Sequence, residues 1–121
     1  MNAATETPQA MADRAAEIRL RVMQAEWPTS DEAQASIKWQ LAYLIEAEAE
    51  RAAVLNGQID PLALGDPDAG WWEDPEAAAD QVTAERVLDA AKGLEKRLAE
   101  YQRREQAGWL AVVRRIAGWA A

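Results

Sequence analysis

The chain contains no histidine, no cysteine and no phenylalanine. The first two absences remove the common zinc and haem ligands, the imidazole general base, the thiolate nucleophile and every disulfide. No catalytic residue, cofactor-binding residue or metal ligand is therefore expected, and the chain is read as a non-enzyme. A chain without thiols suits a reducing compartment, and a cytoplasmic location is expected. Large aliphatics are also scarce: Leu, Ile and Val supply 21 of 121 residues. With no Phe, that falls below the roughly one-fifth share that marks disorder-prone chains when net charge is high. Residues 2–6 carry neither a basic n-region nor an apolar h-region, so no signal peptide is expected. No apolar run approaches ~18 residues, so no membrane span is expected either.

What the chain has is alanine, tryptophan and unevenly placed charge. Alanine contributes 28 residues and tryptophan six. Each Trp can bury about 150–250 Å², which argues for a folded but thin core, helped by a partner or a second copy. Residues 46–85 hold eleven acids against one base, Arg51, for a charge of −10. Residues 86–121 hold eight bases against four acids, and residues 1–45 hold four against six, for +4 and −2. The total is −8. A bipolar chain of this kind suits an oriented electrostatic contact, with a basic partner surface meeting the acidic middle.

Helix signals follow in order. Residues 1–6 read as a disordered tail. Thr7-Pro8 is an N-cap followed by a first-turn proline, and Met11, Ala15, Ile18, Val22 and Ala25 form one stripe. Trp27-Pro28 stops that helix, giving about 8–26. Thr29-Ser30-Asp31-Glu32 reads as a capping box with Thr29 as N-cap. It starts a helix of about 30–56 that ends at Asn56-Gly57. The main face expected for this helix holds Ala33, Ile37, Leu41, Leu44, Ile45, Ala52 and Leu55. A second strip holds Ala35, Trp39, Tyr43, Ala47 and Val54, as if the helix sat between two neighbours.

The connection 57–74 is broken by Gly57, Pro61, Gly65, Pro67 and Gly70, with Ile59, Leu62 and Leu64 expected to tack it down as a short helical turn. Asp74-Pro75 caps a third helix, about 75–119, with Val87, Ala91, Leu94, Leu98, Tyr101, Glu105, Gly108 and Val112 in a seam of alternating four- and three-residue spacing. Gly93 and Gly108 are its weak points, each costing about 1 kcal/mol relative to Ala. The expected fold is all-α: one domain over 7–121, with three helices dominated by a long antiparallel, coiled-coil-like hairpin.

Several features bear on function. Glu46 and Glu50, and Glu85 and Asp89, form one-turn acid pairs on two helices, a layout able to bind Mg²⁺. This layout resembles the all-α nucleotide pyrophosphohydrolases of the MazG type, and that resemblance implies Mg²⁺-dependent hydrolysis. The family spaces its acids Glu-x-x-Glu and Glu-x-x-Asp, however, whereas both gaps here are one residue longer. Both pairs also point away from the expected seams. Glu48 and Glu105 fall inside apolar stripes and are expected to pair with a base or sit at an oligomer seam. Trp71 and Trp72, flanked by Asp66, Asp68, Glu73 and Asp74, place two rings in an acidic loop. Adjacent rings cannot share one side of a helix; the expectation is either a staple at the helix start, with an upstream ring on Ala78, or an aromatic anchor for a partner. Reversing those four acids to Lys is expected to leave stability nearly unchanged. The segment around Trp109, Val113, Ile116 and Trp119 is apolar on one side, with Arg114 and Arg115 opposite. It is expected to pack on the first helix or on another subunit, with a partner groove and the surface of an anionic membrane as the alternatives.

The favoured function is a non-enzymatic protein–protein interaction module: a small assembly factor, adaptor or regulator that self-associates, of a kind compatible with an Ala- and Arg-rich bacterial or phage proteome. The alternative is an acidic inhibitor that mimics nucleic acid and blocks a DNA- or RNA-binding enzyme. The third is the Mg²⁺-dependent pyrophosphohydrolase. Direct nucleic-acid binding is not expected of so acidic a chain.

Overall fold

The computed structural model describes residues 6–65 and 71–120, without the side chains of residues 119 and 120. The described residues are helical throughout their regular structure. The elements are α1 (Pro8–Gln24), α2 (Asp31–Leu55), a 3-10 turn over Pro61–Ala63, and α3 (Pro75–Ala120). Three helices pack together, and the residues expected to form a tail, 1–6, fall outside the described set except for Glu6.

Helix α1 starts as its sequence dictates. The Thr7 hydroxyl accepts the Ala10 N–H, Pro8 opens the first turn, and Met11, Ala15, Ile18 and Val22 are buried. It ends two residues earlier than expected. The Ala25 N–H and the Trp27 indole N–H both donate to the Val22 carbonyl, the latter at 2.8 Å. The indole adds a second, shorter bond to a carbonyl in the last turn, where no further helical N–H follows.

Helix α2 departs from expectation at its start and along its face. The N-cap is Ser30, whose hydroxyl accepts the Ala33 N–H. Thr29 is not the cap, because its amide and hydroxyl both donate to the Glu105 carboxylate on α3. The end is as expected: Gly57 takes φ +74, the left-handed conformation in which glycine has no Cβ penalty.

The buried residues of α2 are Ala33, Ile37, Gln40, Leu44, Arg51 and Val54, with Ala47 packed against the core. Their spacing is 4-3-4-3-4-3 when Ala47 is included. The seam therefore lies beside the expected face. Ile45, Ala52 and Leu55 are exposed, Leu41 is half-buried, and Trp39 and Tyr43 face out rather than toward a second neighbour. Two seam positions are polar, and both are satisfied. Gln40 donates to the Ala90 carbonyl, and Arg51 donates to the Asp80 carboxylate at 2.6 Å, to the Asp80 carbonyl and to the Thr83 hydroxyl. A buried guanidinium is tolerable only when its charge is paired and hydrogen-bonded, as Arg51 is here through Nη1. Gly93 makes room for Gln40, because an added Cβ would lie 2.8 Å from its amide nitrogen.

Helix α3 carries the main core. Ala84, Val87, Leu88, Ala90, Ala91, Leu94 and Leu98 pack against the stripes of α1 and α2. A smaller cluster joins Val54, Trp71 and Ala79, with Ile59, Leu64, Ala78 and Val82 against it. The expected tacking of the connection is therefore right for Ile59 and Leu64, while Leu62 is exposed. Trp71 sits so close over Gly65 that a Cβ there would overlap the ring.

Candidate interaction surface

The covered and uncovered parts of α3 define the candidate surface. Every residue from Arg103 to Gly118 is exposed. The body ends just before this stretch because α1 stops at Gln24 and α2 starts at Asp31, and residues between them fasten to α3. Gln102 donates to the Glu26 carbonyl, and Thr29 donates twice to Glu105. These hydrogen bonds hold the Glu105 carboxyl below the usual glutamate value, the Thr29 hydroxyl acting first and its amide second. The in-stripe position of Glu105 is thus explained by two donors on the linker, not by a basic partner. Glu48, the other in-stripe acid, does pair with a base, Arg19, at 3.0 Å. A shallow cleft of about 490 Å³ lies at this step, with Trp27 on one wall and Trp109 on the other.

Beyond the step, α3 continues as a bare arm. At about 100° per residue, Val112, Ile116, Trp109, Val113 and Leu110 share one side of it, within roughly 100° of Trp109. Arg103, Arg104, Arg114 and Arg115 lie outside that arc. The apolar side continues the one that buries Val87, Ala91, Leu94 and Leu98 upstream. Trp109 is 65% exposed, and Leu110, Val112, Val113 and Ile116 all exceed 40%. The expected packing of this segment on α1 does not occur. Trp119 falls within α3, but its side chain lies outside the described set. No helix among the described residues is long and apolar enough to cross a membrane.

The acidic loop divides by role. Trp71 is buried and packs on Ala78 and Ala79, the expected staple, while Trp72 is 66% exposed. Asp74 caps α3, accepting the Ala77 N–H at 3.1 Å. It therefore cannot be reversed without cost, contrary to the expectation for the four acids together. Glu73 is exposed, and Asp66 and Asp68 lie outside the described residues. Trp72 and Trp109 stand at opposite ends of α3, roughly 50 Å apart along its axis at about 1.5 Å per residue. The two halves of the expected partner surface are not brought together.

Much of the acidic middle is engaged locally. Glu48 meets Arg19, Glu50 meets Arg86 at 2.9 Å, and Asp80 meets Arg51. Asp60 caps the 3-10 turn, and Glu85 accepts from Gln81. No three acids gather in a metal-holding group among the described residues. A patch that sequence reasoning assigned to burial is instead exposed. Trp39 and Tyr43 stack with centroids 6.3 Å apart, and the Arg97 guanidinium lies 5.3 Å over the Trp39 ring. The signal for it was present, since Trp39 and Tyr43 are one turn apart and off the 4-3 seam. Compared with known proteins, the chain matches no protein-family model, no curated protein and no solved structure.

Proposed function

We propose that this chain is a non-enzymatic protein–protein interaction module, a small assembly factor, adaptor or regulator, whose binding element is the bare arm of α3. One observation carries the reading: the side of α3 that builds the core from Val87 to Leu98 is apolar again from Trp109 to Ile116, where Trp109, Leu110, Val112, Val113 and Ile116 are all exposed. Contiguous exposed apolar surface that includes an aromatic side chain is the pattern of a helix that docks against a partner. In the same reading α2 and α3 form the long antiparallel, coiled-coil-like hairpin. The order of their contacts supports this, since Arg51 meets Asp80, Gln40 meets Ala90, and Thr29 meets Glu105. Such a hairpin is a stiff mount for the arm. Nucleic-acid mimicry and Mg²⁺-dependent hydrolysis gain no supporting observation: of the four acids paired for Mg²⁺, Glu50 is engaged with Arg86 and Glu85 with Gln81, no three acids gather among the described residues, and Glu48 and Asp80 of the acidic middle are likewise engaged with arginines.

The test is a photo-cross-linking residue at Val113 in the full chain, with Gln58 at the far end of the body as control. Discrete adducts are expected from position 113 and not from 58. Equal or absent adducts at both positions would remove the arm as the binding element.

A further inference from the structure

We infer that the partner of the arm is the arm of a second copy of this chain, running antiparallel to it about a two-fold axis between Val112 and Val113. This inference rests on the arm being the binding element. Three observations carry it.

The first is the pattern of the stripe. Val112 and Val113 flank its centre, and Trp109 and Ile116 each lie three residues further out. An antiparallel pairing about that centre sets Trp109 against Ile116 of the partner and Val112 against Val113 of the partner. A two-fold interface requires this self-complementarity.

The second is the step where the body ends. Upstream of Arg103, the apolar side of α3 is already covered by α1 and α2. A parallel mate would drive its own body into that space. An antiparallel mate places its body at the other end, and its arm lies in the lane that opens beyond the Thr29–Glu105 and Gln102–Glu26 bonds.

The third is charge. Arg104, Arg114 and Arg115 lie on the far side of the helix and Arg103 at the edge of the stripe, so arm-on-arm contact need not desolvate any guanidinium. With Glu105 included, residues 103–118 carry +3 in each copy. The two arms therefore repel weakly at long range, and salt should tighten the dimer. An arm docked on an acidic surface would respond in the opposite direction. Two stripes of five side chains bury on the order of 1,000 Å², the lower edge for a specific interface, so a micromolar dimer is expected.

The experiment is sedimentation equilibrium of the full chain from roughly 1 µM to roughly 500 µM, at low and high salt. The mass should rise from 13.3 kDa toward twice that value, with more dimer at high salt. Trp109→Glu and Ile116→Glu should each weaken the dimer at least about tenfold, with the circular dichroism melt of the dilute monomer unchanged. Because the chain has no cysteine, orientation is read directly: a mixture of Trp109→Cys and Ile116→Cys chains should oxidise to the mixed covalent dimer while Trp109→Cys alone should not, and the reverse result overturns the antiparallel arrangement. A monomer at all concentrations overturns the inference. If position 113 still cross-links to another protein or to lipid, only the identity of the partner was wrong. A dimer indifferent to both Glu substitutions overturns the inference and the arm's role together. Salt-weakened association overturns the arm-on-arm arrangement in favour of an acidic surface.

Discussion

The first half of α3 and its last third follow the same apolar rhythm but live in different surroundings. From Ala79 to Leu98 the rhythm is buried under α1 and α2; from Trp109 to Ile116 it meets solvent. Periodicity therefore identifies which side of a helix wants cover. It does not say whether the cover comes from the same chain. That depends on where the neighbouring helices stop, and the stops are set by small local bonds: the Trp27 indole on Val22, and Thr29 on Glu105.

The comparison is broken most directly by truncating one residue from each part. Leu94→Ala removes a fully buried side chain and should cost about 2–5 kcal/mol. Ile116→Ala, at a protein concentration that keeps the chain monomeric, should fall within about 0.5 kcal/mol. Urea titrations followed by circular dichroism measure both. A loss at Ile116 as large as that at Leu94 would mean the arm is packed within its own chain.

A smaller effect sharpens the contrast between the start of α3 and the loop before it. Asp74→Lys removes the cap and places a cation at the positive end of the helix dipole, so a loss of about 1 kcal/mol is expected. Glu73→Lys, one position away with no recorded partner among the described residues, should change stability by less than about 0.5 kcal/mol. Equal effects would show that net charge matters there and the cap does not.

The smallest effect concerns the boundary itself. The folded-state pKa of Glu105 is lowered, so its tether to Thr29 is complete above the ordinary value of 4.5. It is lost as pH falls through the lower folded value. Carboxyl carbon titration by NMR should place the Glu105 midpoint below 4.5, and Thr29→Ala should raise it.

Much of the fold was legible in the sequence. Thr7-Pro8, Gly57 and Asp74-Pro75 mark ends by backbone chemistry that acts within a few residues, and the α1 stripe is uniformly apolar. The seam of α2 was misread because two of its positions, Gln40 and Arg51, are polar. An apolar-only pattern slides onto Leu41, Ile45, Ala52 and Leu55. The distances 37-44-51 and 33-40-47-54 were visible, but only α3 supplies the acceptors that make a buried Arg51 affordable. Ser30 displaced Thr29 as cap for the same kind of reason, since Glu105 is far away in sequence. Of the candidate surface, the arm's apolar side was readable, whereas its exposure required knowing how far α1 and α2 reach.

The distribution of the tryptophans also decides how unfolding can be watched. Trp71 is buried and Trp27 half-buried, while Trp39, Trp72 and Trp109 already face water in the native chain. Bulk emission should therefore look red-shifted before any denaturant is added and move little afterwards. A flat fluorescence trace would not mean an unfolded protein. An optical reporter of the body needs Trp71 as the dominant emitter, and the Trp109 signal is best kept for following what happens to the arm.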